Sequence, residues 1–462
     1  MRLITGILVA AALAAAAPVK QHTANPHYYE WNGKPLILLT SGEHYGAVLN
    51  GDFDYRKYLA TLAKDGLNLT RIFTGVYREV PGDFGITRNT LAPTEQAYLS
   101  PYAKVAVGKY DLTKWNPAYW TRLHSFLDEA NRHGIVVEVT IFCVYYQDRM
   151  WELSPWHPKN NVNATPAVPR AEVLTLKHEA YVKLQEGFVR KIATELARHD
   201  NVIFEVCNEP YVTTVPADWQ IHMAGVAKQA LPNHIVGRNV ANFTAKVSEA
   251  DANVSFLNFH YARPPVAVAE NYALNKIIGL DETGFDGTLD AIYRIQAWDF
   301  LLAGGAHYNN LDYSFVTGHE DGTFLVPGTA PGGGSAELRK QLGILRRFLD
   351  QLPITSMRPV SDLFVGNLPA GWSGRAFGNS ERIAVYVQSA QVQSNRRPRI
   401  TYHTSKGSLG LRLNLPAGRW TFNWWDTRTG KVQTQTIVHE GGHAVIGTPE
   451  FTEDLAAILE RQ

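Results

Sequence analysis

Eight times between Lys34 and Leu352 a short apolar run gives way to an amphipathic segment. This alternation predicts parallel strands with a helix returning the chain after each one. Parallel neighbours need a crossover, and a sheet apolar on both faces needs covering. The strands read PLILLTSGEHYG from Pro35, LNLTRIFTG from Leu67, IVVEVTIFC from Ile135 and NVIFEVCNEP from Asn201, then HIVGRNV from His234, VSFLNFHYA from Val254, KIIGLDETGF from Lys276 and AHYNNLDYSF from Ala306. Helices are expected between them, including one over Asp54–Gly66, one from the Asn116 cap to Gly134 and a short one near Ala245. Eight such units close into an α/β, (β/α)8 TIM barrel, whose chemistry gathers at the C-terminal ends of its strands. Long loops after the second strand (Val76 to Trp115) and the third (Val144 to Asn161) lie on that same face and suggest a partly closed pocket, hence exo-action on a chain-like substrate.

Beyond Leu352 the texture changes to short alternating segments such as RIAVYVQSA and GRWTFNWWDTRTGKVQTQTIV, separated by Gly, Pro, Asn and Ser. That spacing predicts a small C-terminal antiparallel β-sandwich. The expected division is 1–17 signal peptide, 18–353 barrel and 354–462 sandwich. The first segment, MRLITGILVAAALAAAAPVKQ, has an early Arg2, an apolar run and small residues at Ala14 to Ala17. These are the marks of a secretory signal, so the expected location is secreted or periplasmic.

Forty-four Lys and Arg nearly cancel forty-three Asp and Glu. No broad basic field exists to attract nucleic acid or an acidic membrane surface, and no later apolar run matches a membrane's thickness. A neutral partner is expected, and the aromatic-rich composition suits stacking against sugar rings as well as it suits a large core. The oligomeric state is not legible. The only two cysteines, Cys143 and Cys207, read either as buried thiols or as one bridge between neighbouring strands.

Titratable groups at strand ends form a short set: Glu43, His44, Arg71, Asn208, Glu209, His260, Asp281, Glu282 and Asp312. Glu209 and Glu282 each follow a long apolar run, on strands far apart in sequence that aim at one cavity. Two carboxylates across a pocket are the equipment of glycoside hydrolysis. Pro210 has no N–H to offer a ladder and turns the chain out of its strand. Metal-dependent hydrolysis would need several converging His and carboxylate ligands, and GEHYG supplies one His, so neither metal nor cofactor is expected. A non-catalytic carbohydrate-binding protein on a hydrolase-like barrel is the alternative. Glu43 and His44 read equally as substrate contacts or as structural partners, and Trp151 and Trp156 as a sugar platform or as their loop's own core.

These motifs resemble the clan A glycoside hydrolases, retaining barrel enzymes that include the cellulase-like family 5, over about Trp31 to Leu352. The resemblance implies that Glu209 is the acid/base and Glu282 the nucleophile. It also implies that Arg71 stands near the nucleophile, that Asn208 bonds the sugar's 2-hydroxyl, and that His260 contacts substrate. The chain departs from the pattern in two places. His260 and Tyr261 are adjacent where the family has one residue between them, and the eighth strand has no Trp, so either Tyr308 or Tyr313 substitutes or the first sugar subsite is built differently. The tail resembles the β module, named for collagen binding, that stands beside apiosidase-like barrels. Glu209 is expected to be protonated through a raised pKa, and Glu282 to be kept ionised by Arg71 and backbone donors.

Overall fold

The computed structural model describes residues 17–212, 215–248, 251–392 and 400–462; most of the expected signal peptide lies outside them. Eight parallel strands form a nearly closed barrel: β1 (Leu38–Gly42), β2 (Leu69–Phe73), β3 (Val136–Cys143), β4 (Val202–Asn208), β5 (Val236–Asn242), β6 (Phe256–His260), β7 (Ile277–Glu282) and β8 (His307–Leu311). Hydrogen-bonded ladders join every sequential pair from β2 through β8, and β8 to β1. Asn68 bridges the remaining seam. Its amide donates to Ile37 O (2.9 Å) and its carbonyl accepts from Leu39 N (2.8 Å), so a side chain does there what a ladder does elsewhere.

The surrounding helices follow the sequence periodicity. Helix α1 (Tyr55–Lys64) starts where Asp54 accepts from Arg56 N and Lys57 N, and buries Tyr55, Tyr58, Leu59 and Leu62 on one stripe. Asn116 caps α2 (Pro117–Arg132) in the same manner. The helix expected near Ala245 does not form. Asn271 binds that segment instead, accepting from Val247 N and donating to Ala245 O (2.8 Å each), which gives its backbone groups partners outside a helix. Helices α3 (Glu179–Leu196) and α4 (Ala217–Ala230) follow β3 and β4, a short α5 (Val266–Asn271) follows β6, and α6 (Asp290–Leu302) and α7 (Ala336–Leu349) follow β7 and β8.

The C-terminal part is a six-stranded antiparallel sheet covered by the strand pair Gly410–Leu415 and Gly442–Gly447. Its period-2 alternation is used on both faces. Ile383, Val385 and Val387 join Leu411, Leu413 and Trp420 in one core, while Ala384 and Tyr386 face the barrel. Tyr386 stacks on Trp298 of α6 at 5.6 Å. The buried Arg294 of α6 donates to both oxygens of Asp454, and Tyr386 donates to the same carboxylate (2.9 Å).

The barrel interior is charged where barrels of this architecture are usually filled by branched apolar side chains. Arg71, Glu138, Glu205, Asn258, Asp281 and His307 are all buried there. Arg71 pairs with Glu205 and with Asp281 (3.2 Å), and the Asn258 amide donates to Glu138 (2.7 Å), Glu205 (2.9 Å) and Asp281 (3.0 Å). Burial, only partly offset by Arg71, pushes the Glu205 carboxyl up to about 8. A buried ion cluster adds little net stability, because desolvation offsets attraction. Its effect is to fix the groups above it.

Candidate active site

At the C-terminal mouth of the barrel lies a cavity of about 230 Å3 lined by Glu209 and Glu282, with Asn208, His44, Tyr45, Tyr261, Tyr146 and Glu79 among its walls. Four lining residues, Tyr45, Phe84, Glu209 and Tyr261, hold a positive φ without being glycine (59°, 57°, 44° and 53°). Each such conformation costs about 1–3 kcal/mol, and clusters of them mark functional sites. Glu209 precedes Pro210, which favours extended backbone, yet holds φ 44°, and the hydrogen bonds of its carboxylate to His260, Tyr211 and Tyr146 hold it in the mouth.

Glu209 Oε1 accepts from His260 Nδ1 (2.8 Å) and Tyr211 OH (3.2 Å), and Oε2 from Tyr146 OH (2.7 Å). Asn208 donates to that same Tyr146 oxygen (2.8 Å) and accepts from Arg71 (2.9 Å). Glu282 accepts from Tyr45 OH (3.0 Å) and Tyr261 OH (2.5 Å). One oxygen of each glutamate and a ring nitrogen of His260 all lie within 4.8 Å of one another. His260 Nε2 faces Asp281 at 3.3 Å, so the imidazole sits among three carboxylates.

That crowding sets the proton order. Burial disfavours a charged His260, but Glu282, Asp281 and Glu209 outweigh it and hold the ring well above the ordinary 6.5. Burial raises Glu209, yet the hydrogen bond and charge of His260, with the two tyrosine hydroxyls, keep it below the ordinary glutamate range. Burial pushes Glu282 up; His260 opposes this and the Glu209 charge adds to it. This packing reverses the expected order, in which Glu209 is the raised group. The reason is that its proton rests on the neighbouring imidazole.

Several expected contacts lie elsewhere. The Arg71 and His260 side chains are fully buried beneath the cavity and are not among its lining residues; they contact Asn208, Glu209 and Glu282. Arg71 Nη1 is 3.7 Å from Glu282, whose hydrogen bonds come from tyrosine hydroxyls and not from Arg71 or the backbone. Tyr308 points outward from β8 and donates to Tyr293 O (2.8 Å), so it offers no platform. Trp151 packs on Tyr145 and His157, and Trp156 donates to Tyr102 OH (3.1 Å); both belong to their loop's core. Glu43 is structural, accepting from Gly46 N, Ala47 N and Thr90 OH, and burial raises it to about 7. Cys143 and Cys207 are free thiols. The aromatic wall after β7 is Phe285. Gly284 sets it there at φ 117°, where a Cβ would come within 2.7 Å of Leu311.

The sequence reading missed Tyr45, Tyr146, Tyr211, Glu79, Phe84 and Phe285 in the site, and Glu138 and Glu205 beneath it. The available signal for the last two was a carboxylate inside an apolar run, in VVEVT and IFEVC.

A family model described as a domain of unknown function, DUF6298, matches residues 100–215, a span that includes β3, β4 and Glu209. No curated protein matches the chain. Similar solved structures include one from Bacteroides vulgatus ATCC 8482 provisionally described as a glycoside hydrolase, with TM-score 0.65 and 13% identity over 96% of this chain and 82% of that one. A family 5 glycoside hydrolase from the same organism has TM-score 0.62 and 13% identity over 96% and 94%. A family 5 mannosidase from Rhizomucor miehei has TM-score 0.50 and 15% identity over 73% and 100%. At these identities the likeness is one of fold, a (β/α)8 barrel that these glycoside hydrolase structures share.

Proposed function

We propose that the chain is a secreted, cofactor-free retaining glycoside hydrolase acting on a plant- or microbe-derived glycan by double displacement. The observation that carries this reading is the spacing of Glu209 and Glu282. One oxygen of each carboxylate lies within 4.8 Å of the other, a close approach that supports the retaining arrangement, with carboxyl groups roughly 5–5.5 Å apart, over the roughly 6.5–9.5 Å of inverting enzymes. The names of the similar folds support the same substrate class.

In this reading a sugar filling the cavity expels water, which favours the neutral form of the Glu209–His260 pair and moves the proton from Nδ1 to Oε1. Glu209, now an acid, protonates the leaving oxygen while Glu282 attacks the anomeric carbon. The same shift removes both the His260 charge that lowers Glu282 and the Glu209 charge that raises it, so Arg71 and the Tyr261 hydroxyl are what then favour the ionised nucleophile. Water then hydrolyses the glycosyl–Glu282 ester with Glu209 as base. In this reading Asn208 bonds the 2-hydroxyl. The signal peptide at 1–17 accounts for secretion, and the C-terminal sheets are, in this reading, the accessory module its sequence resembles.

A panel of aryl glycosides tests the proposal. Wild type hydrolyses at least one with retained anomeric configuration by NMR, and Glu282→Ala does not. Binding of the same sugars without turnover of any glycoside would instead establish a carbohydrate-binding protein.

A further inference from the structure

Glu79 lies on the loop after β2, is buried, and lines the catalytic cavity. Three donors hold it: His44 Nε2 (3.4 Å) and Tyr77 OH (3.2 Å) on Oε1, and Asn89 Nδ2 (3.1 Å) on Oε2. A carboxylate has about four acceptor sites, so one on Oε2 stays free for a hydroxyl. Beyond this pair a second cavity of about 230 Å3 opens, lined by Asn89, Arg88, Asn50 and Thr317 but not by Glu79. The Glu79–Asn89 hydrogen bond is thus a partition between two cavities on one face, and Asn89 Oδ1 is buried beside it without a partner. His44, a donor to Glu79, packs against Tyr45 (ring centroids 5.5 Å), whose hydroxyl donates to Glu282, which ties the partition to the nucleophile's side of the cavity. The leaving group departs past Glu209, and Glu79 therefore faces the sugar that is retained.

We propose that Glu79 is the end wall of the sugar subsite. It accepts one hydroxyl of a terminal ring and stops the glycan from running on into the second cavity, so the chain removes single sugar units from chain ends. This rests on the hydrolase reading above and names its substrate class: glycans presenting a free terminal sugar with a hydroxyl opposite the wall. The cavity is smaller than the roughly 300–1,000 Å3 typical of pockets for drug-sized ligands, which suits one ring.

The test compares wild type with Glu79→Gln, which keeps the shape and removes the charge. On the best aryl glycoside, Glu79→Gln loses about ten- to a hundredfold in kcat/KM, the worth of a hydrogen bond to a charged group. The loss disappears on the deoxy analogue that lacks the hydroxyl read by Glu79. On an end-reduced oligosaccharide wild type releases monosaccharide from the first time points. Equal kcat/KM for the two proteins, or early internal cuts by wild type, overturns the inference. If wild type turns over no glycoside, the hydrolase reading fails, and calorimetry with the free monosaccharides decides about the wall. About tenfold or greater weakening in Glu79→Gln upholds it, and equal affinity overturns it. Should Glu79→Gln fail to fold, Asn89→Ala breaches the partition with Glu79 in place. Internal cleavage products then uphold the wall, and an unchanged product pattern overturns it.

Discussion

His260→Asn separates the proton store from the hydrogen bond. An asparagine amide can replace Nδ1 as donor to Glu209, 2.8 Å away in the native protein, but it cannot carry a titrating proton. In wild type, kcat/KM falls on the alkaline side when the Glu209–His260 pair loses its last proton, and that proton rests on a ring held well above 6.5 by Glu282, Asp281 and Glu209. In the variant the same limb belongs to Glu209 alone. The ring's advantage over the carboxyl is of the size of a charge-assisted hydrogen bond, about 1.5–3 kcal/mol, which moves the limb down by about one to two pH units. The assay is a pH profile of kcat/KM on the best aryl glycoside, with circular dichroism to establish that the variant is folded. An alkaline limb that stays where wild type has it would refute the proton store.

Tyr261→Phe removes the 2.5 Å donor from Glu282. Glu282 must be ionised to attack, so a less stabilised carboxylate shifts the acid limb of kcat/KM upward by about one to two units, read from the same profile. Asp454→Ala strips the buried Arg294 of its main counter-ion and Tyr386 of its acceptor, leaving Glu453 alone. Urea denaturation followed by tryptophan fluorescence should show a loss of about 3–5 kcal/mol, and Asp454→Asn a smaller one. Trp151→Ala empties the loop core and lowers stability by about 3–5 kcal/mol in the same experiment, with the binding of monosaccharide unchanged at temperatures where the loop is folded.

All eight strands were legible because each is an apolar run bounded by turn residues, and the two glutamates because each ends such a run. What a fully buried strand hides is parity. In β8, His307 points inward to Glu138 (3.3 Å) and Tyr308 outward to α6, yet both read as polar-tipped residues of one apolar segment. Loop aromatics hide their partners in the same way. VYYQDRMWELSPWHP offers four large rings, of which Tyr146 reaches Glu209 and the two tryptophans fold back on their own loop. The missing helix near Ala245 was decided by Asn271, a partner 26 residues away that no local propensity can register. The proton order, too, was a property of the assembled site. It depends on a histidine packed among three carboxylates drawn from two strand ends, those of β4 and β7.

The most direct measurement is trapping. Incubation with 2-deoxy-2-fluoroglycosyl fluorides of the sugars that wild type accepts slows hydrolysis of the ester more than its formation, and peptide mapping by mass spectrometry locates the adduct. Double displacement predicts one glycosyl unit on the peptide containing Glu282, and none in Glu282→Ala. An adduct on Glu209, or turnover with inverted configuration and no adduct, would contradict it.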